Sequence, residues 1–485
     1  MTKVLKGLEP ERVYHYFEEI CRIPRPSKKE EKIANYLMEF GSKLNLETIR
    51  DRTGNIIIRK PATKGMENRK SVVLQSHIDM VCEKNSDVDH DFDKDPIKPY
   101  IADAWIKAKG TTLGADDGIG IAAQLAILES SSIQHGPIEC LFTVDEETGL
   151  TGAFGLDTDV LKSNILLNLD SEDEGEIFIG CAGGIDTVIK LPLTLNANDA
   201  GNGFVIKVSG LKGGHSGDDI NKGLGNANKI LNRILWEAAR KFNLQLSSFN
   251  AGNLRNAIAR EGEAIVSIPS EYVKEFLGYA KKFNEIVRNE FKITEPDLKV
   301  EVSETENPSK IMSTEVRDKL LNSLYACPHG VIAMSQSIPN FVETSTNLAA
   351  VKTREDHIEI TTSQRSSVES AKFDTANMVA SVFLLAGGEA VHGEGYPGWT
   401  PNPQSEILEI SKLQYEKLFG KSPKVLAIHA GLECGLIGEK YPQMDMISYG
   451  PTIKGAHSPD ERLNIETVNK FWDLTLEILK NIPKE

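Results

Sequence analysis

The sequence predicts an α/β domain with a mixed sheet, interrupted by a large α+β domain. Three observations predict it. Short apolar runs alternate with helical patterns over residues 1–187; the texture then shifts to strands and helices set around a glycine-rich turn; and it shifts back near residue 392, after a stretch rich in Gly, Pro and aromatics. Residues 1–187 and 392–485 are therefore expected to form one domain, with residues 188–391 inserted into it. A chain of 485 residues is too long for a single ordinary core, which agrees with that division.

Residues 10–50 read as helical, with apolar positions at Val13, Tyr16, Phe17 and Ile20 and, past a turn, at Ile33, Tyr36, Leu37 and Phe40. Residues 55–58 and 72–74 are short apolar runs and read as strands. Residues 119–128 read as a helix, and 138–144 and 165–169 as strands. In the insert, 203–210 reads as a strand, 212–217 as a glycine-rich turn and 220–241 as a helix. Strands are expected over 263–268, 299–302 and 357–362, and helices near 270–290 and 367–386. The insert is long enough for two similar halves, although no short-period repeat is visible. Residues 392–403 read as a crossover, 405–419 as a helix, 425–428 and 444–449 as strands, 450–459 as a loop, and a closing helix starts at 465.

The net charge of −15 offers no basic stripe for nucleic acid. Six cysteines stand far apart with no Cys-x-x-Cys pair, which is reduced, intracellular usage. The N-terminus lacks an apolar run of signal-peptide length, and no stretch approaches a membrane span, so the expected location is cytoplasmic.

The polar residues that matter fall at strand ends. The run at 72–74 leads to His77 and Asp79, that at 138–144 to Glu146 and Glu147, that at 165–169 to Asp170, and that at 444–449 through a Gly/Pro loop to His457. Asp116 stands just before a helix. Ligands of open α/β sheets bind outside the carboxyl ends of the strands, so these segments can deliver their side chains to one place. Two histidines and three carboxylates suit zinc, manganese or cobalt, and they exceed what one tetrahedral ion needs. The set fits two ions sharing a carboxylate, typically about 3.5–4 Å apart. Asp79, two residues beyond His77, can accept the free imidazole N–H. Glu146 and Glu147, if extended, point apart, so one can hold metal while the other serves as a base. Singly, each residue has a plainer explanation: Asp116 as a helix cap, the Glu pair as a solvated turn, His77 as a core histidine. Their coincidence at five segment ends carries the argument.

The motifs Ser-His-Ile-Asp-Met (76–80), Thr-Thr-Leu-Gly-Ala-Asp-Asp-Gly-Ile-Gly (111–120), Thr-Val-Asp-Glu-Glu-Thr-Gly (143–149), Asn-Leu-Asp-Ser-Glu (168–172) and Gly-Ala-His-Ser-Pro-Asp-Glu (455–461) occur in this order. Together they resemble the co-catalytic metallopeptidases of the aminoacylase, glutamate carboxypeptidase and dipeptidase clan. Three further motifs narrow the resemblance to the bacterial aminoacyl-histidine dipeptidases. These are Leu-Gln-Ser-His-Ile-Asp-Met-Val (74–81), Gly-Leu-Lys-Gly-Gly-His-Ser-Gly (210–217) and Ile-His-Ala-Gly-Leu-Glu-Cys-Gly (428–435). The resemblance implies a mixed-sheet zinc-peptidase catalytic domain interrupted by an α+β lid. It implies that Asp116 bridges two ions, His77 and Asp170 complete one site, and Glu147 and His457 complete the other. Glu146 would be the general base and Asp79 would orient His77, with a cis peptide after Asp116. In the lid it implies that His215 stabilises the oxyanion and that Asn256 and Arg365 hold substrate. The implied substrate is a small unblocked dipeptide, Xaa-His included, and a homodimer through the lid is an implied assembly. An aminoacylase, a deacetylase or a tripeptidase would share the same metal cage, and substrate length and end groups separate them. A peptide-binding protein that has lost catalysis is the alternative from another class, and the intact Glu146 and His457 speak against it.

Overall fold

The computed structural model describes residues 4–485, so the first three residues of the expected N-terminal segment lie outside the described residues. The chain divides into two compact units. One comprises the chain up to Gly180, Trp399–Ala427 and Leu432–Glu485; the other is Cys181–Gly398 with Ile428–Gly431. The divisions fall at 180/181 and 398/399, rather than the expected 187/188 and 391/392. The reason is that Gly183–Pro192 and Glu389–His392 are paired strands of the inserted unit's own sheet.

The first unit is built on an eight-stranded mixed sheet. Its strands run in the order Glu47–Arg50, Ile56–Lys60, Ile138–Thr143, Val72–His77, Ile165–Asn168, Asp445–Ser448, Glu176–Cys181, Lys424–Ile428. The four from Ile138–Thr143 to Asp445–Ser448 are mutually parallel, and the strands flanking them are antiparallel. Ile138–Thr143, Val72–His77 and Ile165–Asn168 are buried along their whole length, so both faces are covered; this is why they read as unbroken apolar runs. Ala115–Glu129 packs on Val72–His77 and on Glu11–Ile20, and nearly all of its residues are buried, so it carries little amphipathic signal. Residues 10–50 form two helices, Glu11–Ile20 and Glu31–Lys43, on either side of the expected turn, but their last residues are the edge strand Glu47–Arg50 rather than helix. Four short strands form a second small sheet in this unit, in the order Ile453–Lys454, Arg462–Asn464, Trp105–Ala108, Pro99–Ala102. The loop expected at 450–459 thus contains one arm of a hairpin.

The inserted unit holds a nine-stranded sheet whose pairings are all antiparallel. Two halves of the same topology make eight of its strands, and the ninth, Gly330–Met334, pairs beside Val342–Thr353. The inner half runs Asn202–Ser209, helix Ala227–Lys241, Gln245–Ala251, Gly262–Ile268, helix Val273–Glu290, Lys299–Thr305. The outer half runs Gly183–Pro192, helix Thr314–Ala326, Val342–Thr353, His357–Ser366, helix Glu369–Leu385, Glu389–His392. Each is strand–helix–strand–strand–helix–strand, and in each the spatial order is fourth, first, third, second. The halves meet where the second strands pair, at Asn250↔Lys352 and Ala251↔Val351. The inner half enters and leaves through the antiparallel pair Leu195–Ala197 and Lys310–Met312. One apolar core, including Ile189, Phe204, Leu231, Leu320 and Phe383, runs through both halves. The helix expected from 220 begins only at Ala227. Gly223 takes a positive φ of 68°, and the Asn226 side chain accepts from the N–H groups of Asn228 and Lys229 as the cap.

Candidate metal and catalytic site

The four parallel strands end on one edge of the sheet, and the side chains beyond them converge there. His77 Nε2 lies 3.0 Å from Asp116 Oδ1 and 3.3 Å from Asp170 Oδ1. His457 Nε2 lies 3.2 Å from Asp116 Oδ2 and 3.0 Å from Glu147 Oε2. Asp116 therefore turns one oxygen to each imidazole. His77, Asp116 and Asp170 form one group able to hold an ion, and Asp116, Glu147 and His457 form another. Glu146 joins His77 and Glu147 in a third such grouping.

These donors fit divalent cations. Each Nε2 faces two carboxylate oxygens, and one N–H cannot serve both. Glu147 Oε1 and Asp170 Oδ1 are buried without a hydrogen-bond partner. The protein electrostatics favour positive charge here: hydrogen bonds given by His457 to the Asp116 and Glu147 carboxylates lift it to about 11 against the pull of burial. Burial works against a charged His77 as well, yet Asp170, Asp116 and Asp79 raise it well above the ordinary histidine value. His77 Nδ1 is 3.3 Å from Asp79 Oδ1, and an N–H given to Asp79 leaves Nε2 free as a donor to metal. Burial pushes Glu146 well above the usual carboxylate range, with Asp170, Glu433 and Glu147 adding to it and His77 opposing.

Local folding explains the placement. Glu146 and Glu147 are not extended, as the sequence suggested; they open a short helical turn, Glu146–Gly149, after Asp145 at φ 49°. Asp79 caps that turn, accepting from Glu146 N–H at 3.0 Å and Glu147 N–H at 3.2 Å. Burial would raise Asp79, but His77, those N–H groups and the Ser27 hydroxyl together hold it at about 2. One carboxylate thus ties the histidine to both glutamates. The Asp116–Asp117 peptide is cis. His457 sits at the turn of the hairpin between Ile453–Lys454 and Arg462–Asn464, at φ 64°.

Three residues escaped the sequence reading. Glu461 accepts four backbone N–H groups from the loop before Asp116: Leu113 and Gly114 at 2.7 and 2.9 Å, Ala115 and Asp116 at 2.7 and 3.3 Å. Arg25 donates to the carbonyls of Ile78, Asp79 and Gly114, joining that loop to the end of the His77 strand. Burial, with the charge of Asp116, lifts Glu172 to about 7. Glu461 and Glu172 both lie inside the quoted motifs, which was the available signal; Arg25 gave none.

His215, Asn256 and Arg365 belong to the inserted unit and are not among the converging donors. The Asp218 N–H lies 3.3 Å from His215 Nδ1, and the Asp218 carboxylate lies 3.4 Å from the same atom. The Asn256 carbonyl accepts from Ser216 N–H, beside His215. Arg365 is buried and donates to Tyr396 Oη at 2.9 Å and Ser216 Oγ at 3.4 Å.

A profile of the peptidase family M20/M25/M40 matches residues 73–481. The chain is 46% identical over 480 residues to the cytosol non-specific dipeptidase of Escherichia coli (strain K12), covering 99% of each. It is 46% identical, with a TM-score of 0.94, to the crystal structure of aminoacylhistidine dipeptidase from Vibrio alginolyticus, over 99% of this chain and 98% of that one. The crystal structure of aminopeptidase PepT from Bacillus cereus shares the fold at a TM-score of 0.57 and 18% identity, over 98% of this chain and 99% of that one. Among the described residues no helix is long and apolar enough to cross a membrane. With the matched profile spanning most of the sequence and a dipeptidase aligned along nearly all of it, the chain belongs to peptidase family M20/M25/M40.

Proposed function

We propose that this chain is a dinuclear-metal dipeptidase that hydrolyses the peptide bond of unblocked dipeptides, Xaa-His among them. The observation that carries the reading is Asp116, which presents one oxygen to each of two imidazole nitrogens that each face a further carboxylate. His77 and Asp170 would hold one ion, Glu147 and His457 the other, and Asp116 both; zinc is the first choice, with manganese and cobalt as alternatives. When bound, such ions supply electrophilic polarisation of the scissile carbonyl and make a water acidic enough to attack near neutral pH.

The chain's own groups do the rest. Glu146 takes a proton from the attacking water at its carboxylate and returns it to the leaving nitrogen; its burial raises its basicity toward that task. Asp79 holds the His77 ring and the Glu146 backbone in register. His215 is assigned to the developing oxyanion, Asn256 to the substrate backbone and Arg365 to the C-terminal carboxylate. The inserted unit is assigned the role of a lid. A cytoplasmic location and a homodimer formed through that unit complete the reading; the name of the Escherichia coli relative supports the first.

The test is a panel of L-dipeptides including Xaa-His, an N-acetyl amino acid and a tripeptide, offered to protein stripped and reloaded with zinc, manganese or cobalt. Amino acids released from dipeptides support the proposal. Cleavage of the N-acetyl compound alone moves the chain to the aminoacylases or deacetylases, cleavage of the tripeptide alone to the tripeptidases, and turnover of none to a binding role. Glu146→Gln should keep its metal while kcat falls by about 10²–10⁴-fold; a variant with undiminished kcat would remove Glu146 as the base.

A further inference from the structure

The motif at 428–435 has no part in the reaction just described, yet it places a carboxylate beneath the donor set. Glu433 opens the helix Glu433–Lys440 and is fully buried. Its Oε2 accepts from Gln75 Nε2 at 2.6 Å and from Thr143 Oγ1 at 2.7 Å. Gln75 Oε1 in turn accepts from Asn168 Nδ2 at 2.5 Å. Asn168 Oδ1 accepts from the Ser448 hydroxyl, which lies 2.6 Å from the Ser171 hydroxyl. This line takes one residue from each of the four parallel strands: Thr143, Gln75, Asn168 and Ser448. All of them are buried.

The line lies one layer below the donors. Gln75 precedes His77 by two residues, and Asn168 precedes Asp170 by two. Side chains two apart along extended backbone leave on the same side, so Gln75 lies in the layer beneath His77, and Asn168 closes the strand that leads to Asp170. Glu433 also sets the direction of the line. Its Oε2 accepts from both Gln75 and Thr143, so Gln75 presents its NH₂ to Glu433 and its oxygen to Asn168, and Asn168 presents its oxygen to Ser448. Glu433 Oε1 has no hydrogen-bond partner although it is buried. A buried carboxylate oxygen without a donor is costly unless positive charge stands nearby, and two dications held by the donors above would supply it.

We infer that Glu433 is a positioning residue for the metal site, fixing the strand ends that carry His77 and Asp170 through the Gln75–Asn168–Ser448 line. The inference rests on the reading of those donors as a metal site. Its test therefore measures metal binding on the full-length, metal-free protein, with Co(II) as the probe. Glu433→Gln keeps the size and an acceptor oxygen but removes the charge and the fixed direction. It should keep the melting temperature of the metal-free protein close to wild type, bind Co(II) about 10–100-fold more weakly and change the visible Co(II) spectrum. Gln75→Leu breaks the line while leaving Glu433 in place and should show a comparable loss. The double variant should be no weaker than the worse single variant, because both act on one path. If Glu433→Gln does not fold, Ser448→Ala at the far end of the line replaces it, with an expected loss of severalfold. Wild-type affinity and spectrum in the folded variants overturn the inference alone. Wild-type protein that takes up no ion overturns the metal-site reading and this inference with it.

Discussion

Glu461 shows how much of the site depends on residues that touch neither substrate nor metal. Its two oxygens accept four consecutive backbone N–H groups at residues 113–116, the loop that ends in Asp116. Burial and the charge of Asp116 raise its pKa, while those N–H groups work to lower it. Glu461→Ala would leave buried donors unpaired, and we expect a loss of about 3 kcal/mol in urea unfolding of the metal-free protein. Metal affinity should fall by about 10-fold or more, because Asp116 loses its footing. Glu461→Gln should recover part of both, since one amide oxygen can still serve two of the N–H groups. Equal stability and affinity in the alanine variant would show that the loop holds Asp116 by other means. Asp79 is comparable: one carboxylate meets the His77 ring and two N–H groups of the Glu146 turn. Its motif position was readable, but its contact with the Glu146 turn was not, because that contact needs the turn to be helical.

At the scale of elements, the inserted unit carries two buried histidines that make it sensitive to acid. His329 accepts the Leu348 N–H at Nδ1 and is held by burial at about 4. His429, 2.7 Å from the Ser345 hydroxyl and surrounded by Arg365, Asp218 and His215, is held by burial and by Arg365 at about 3. The unfolded value is about 6.5, so between these folded values and 6.5 the unfolded chain binds more protons than the native one. Their contribution is complete above about pH 6.5 and is lost as pH falls. Each can remove about 1.4 kcal/mol per pH unit, or roughly 4 kcal/mol for the pair by pH 5. The melting temperature of this unit should drop between pH 7 and 5, and His429→Asn should flatten the slope. A variant slope equal to wild type would show that His429 is not buried neutral. The elements themselves were unevenly legible. Three of the four parallel strands stood out because burial on both faces makes them apolar runs leading into His, Asp or Glu. Thr314–Ala326 passed unnoticed although Ser313 caps it, as did the long strand Val342–Thr353, whose buried Thr, Ser and Asn residues dilute the apolar signal. The doubled topology was hidden because one half is threaded between the first strand and first helix of the other, so the repeat has no period along the chain.

The whole molecule consists of two units that answer to different conditions, and this makes their stability separable by experiment. All the proposed metal donors lie in the first unit, and the two most strongly depressed histidines, His329 and His429, lie in the second; the first unit's buried His135 is depressed as well. A ligand that binds only the folded form stabilises by RT ln(1 + [L]/Kd), about 2.7 kcal/mol at one hundred times Kd. Zinc added near pH 7 should therefore raise the unfolding transition of the first unit by several degrees and leave that of the inserted unit in place. Acid should do the reverse to the inserted unit. Within that unit the two halves share one apolar core and one continuous sheet, so they should melt in a single transition despite their separate topologies. Calorimetry of the full chain with and without zinc, at pH 7 and at pH 5, checks all three statements. Two transitions, one moved by zinc and the other by acid, are the expected result. A third transition would mean that the inner half, entered through Leu195–Ala197 and left through Lys310–Met312, unfolds by itself. A single transition moved equally by zinc and by acid would mean that the chain behaves as one cooperative body, and the assignment of separate functions to separate units would lose its energetic basis.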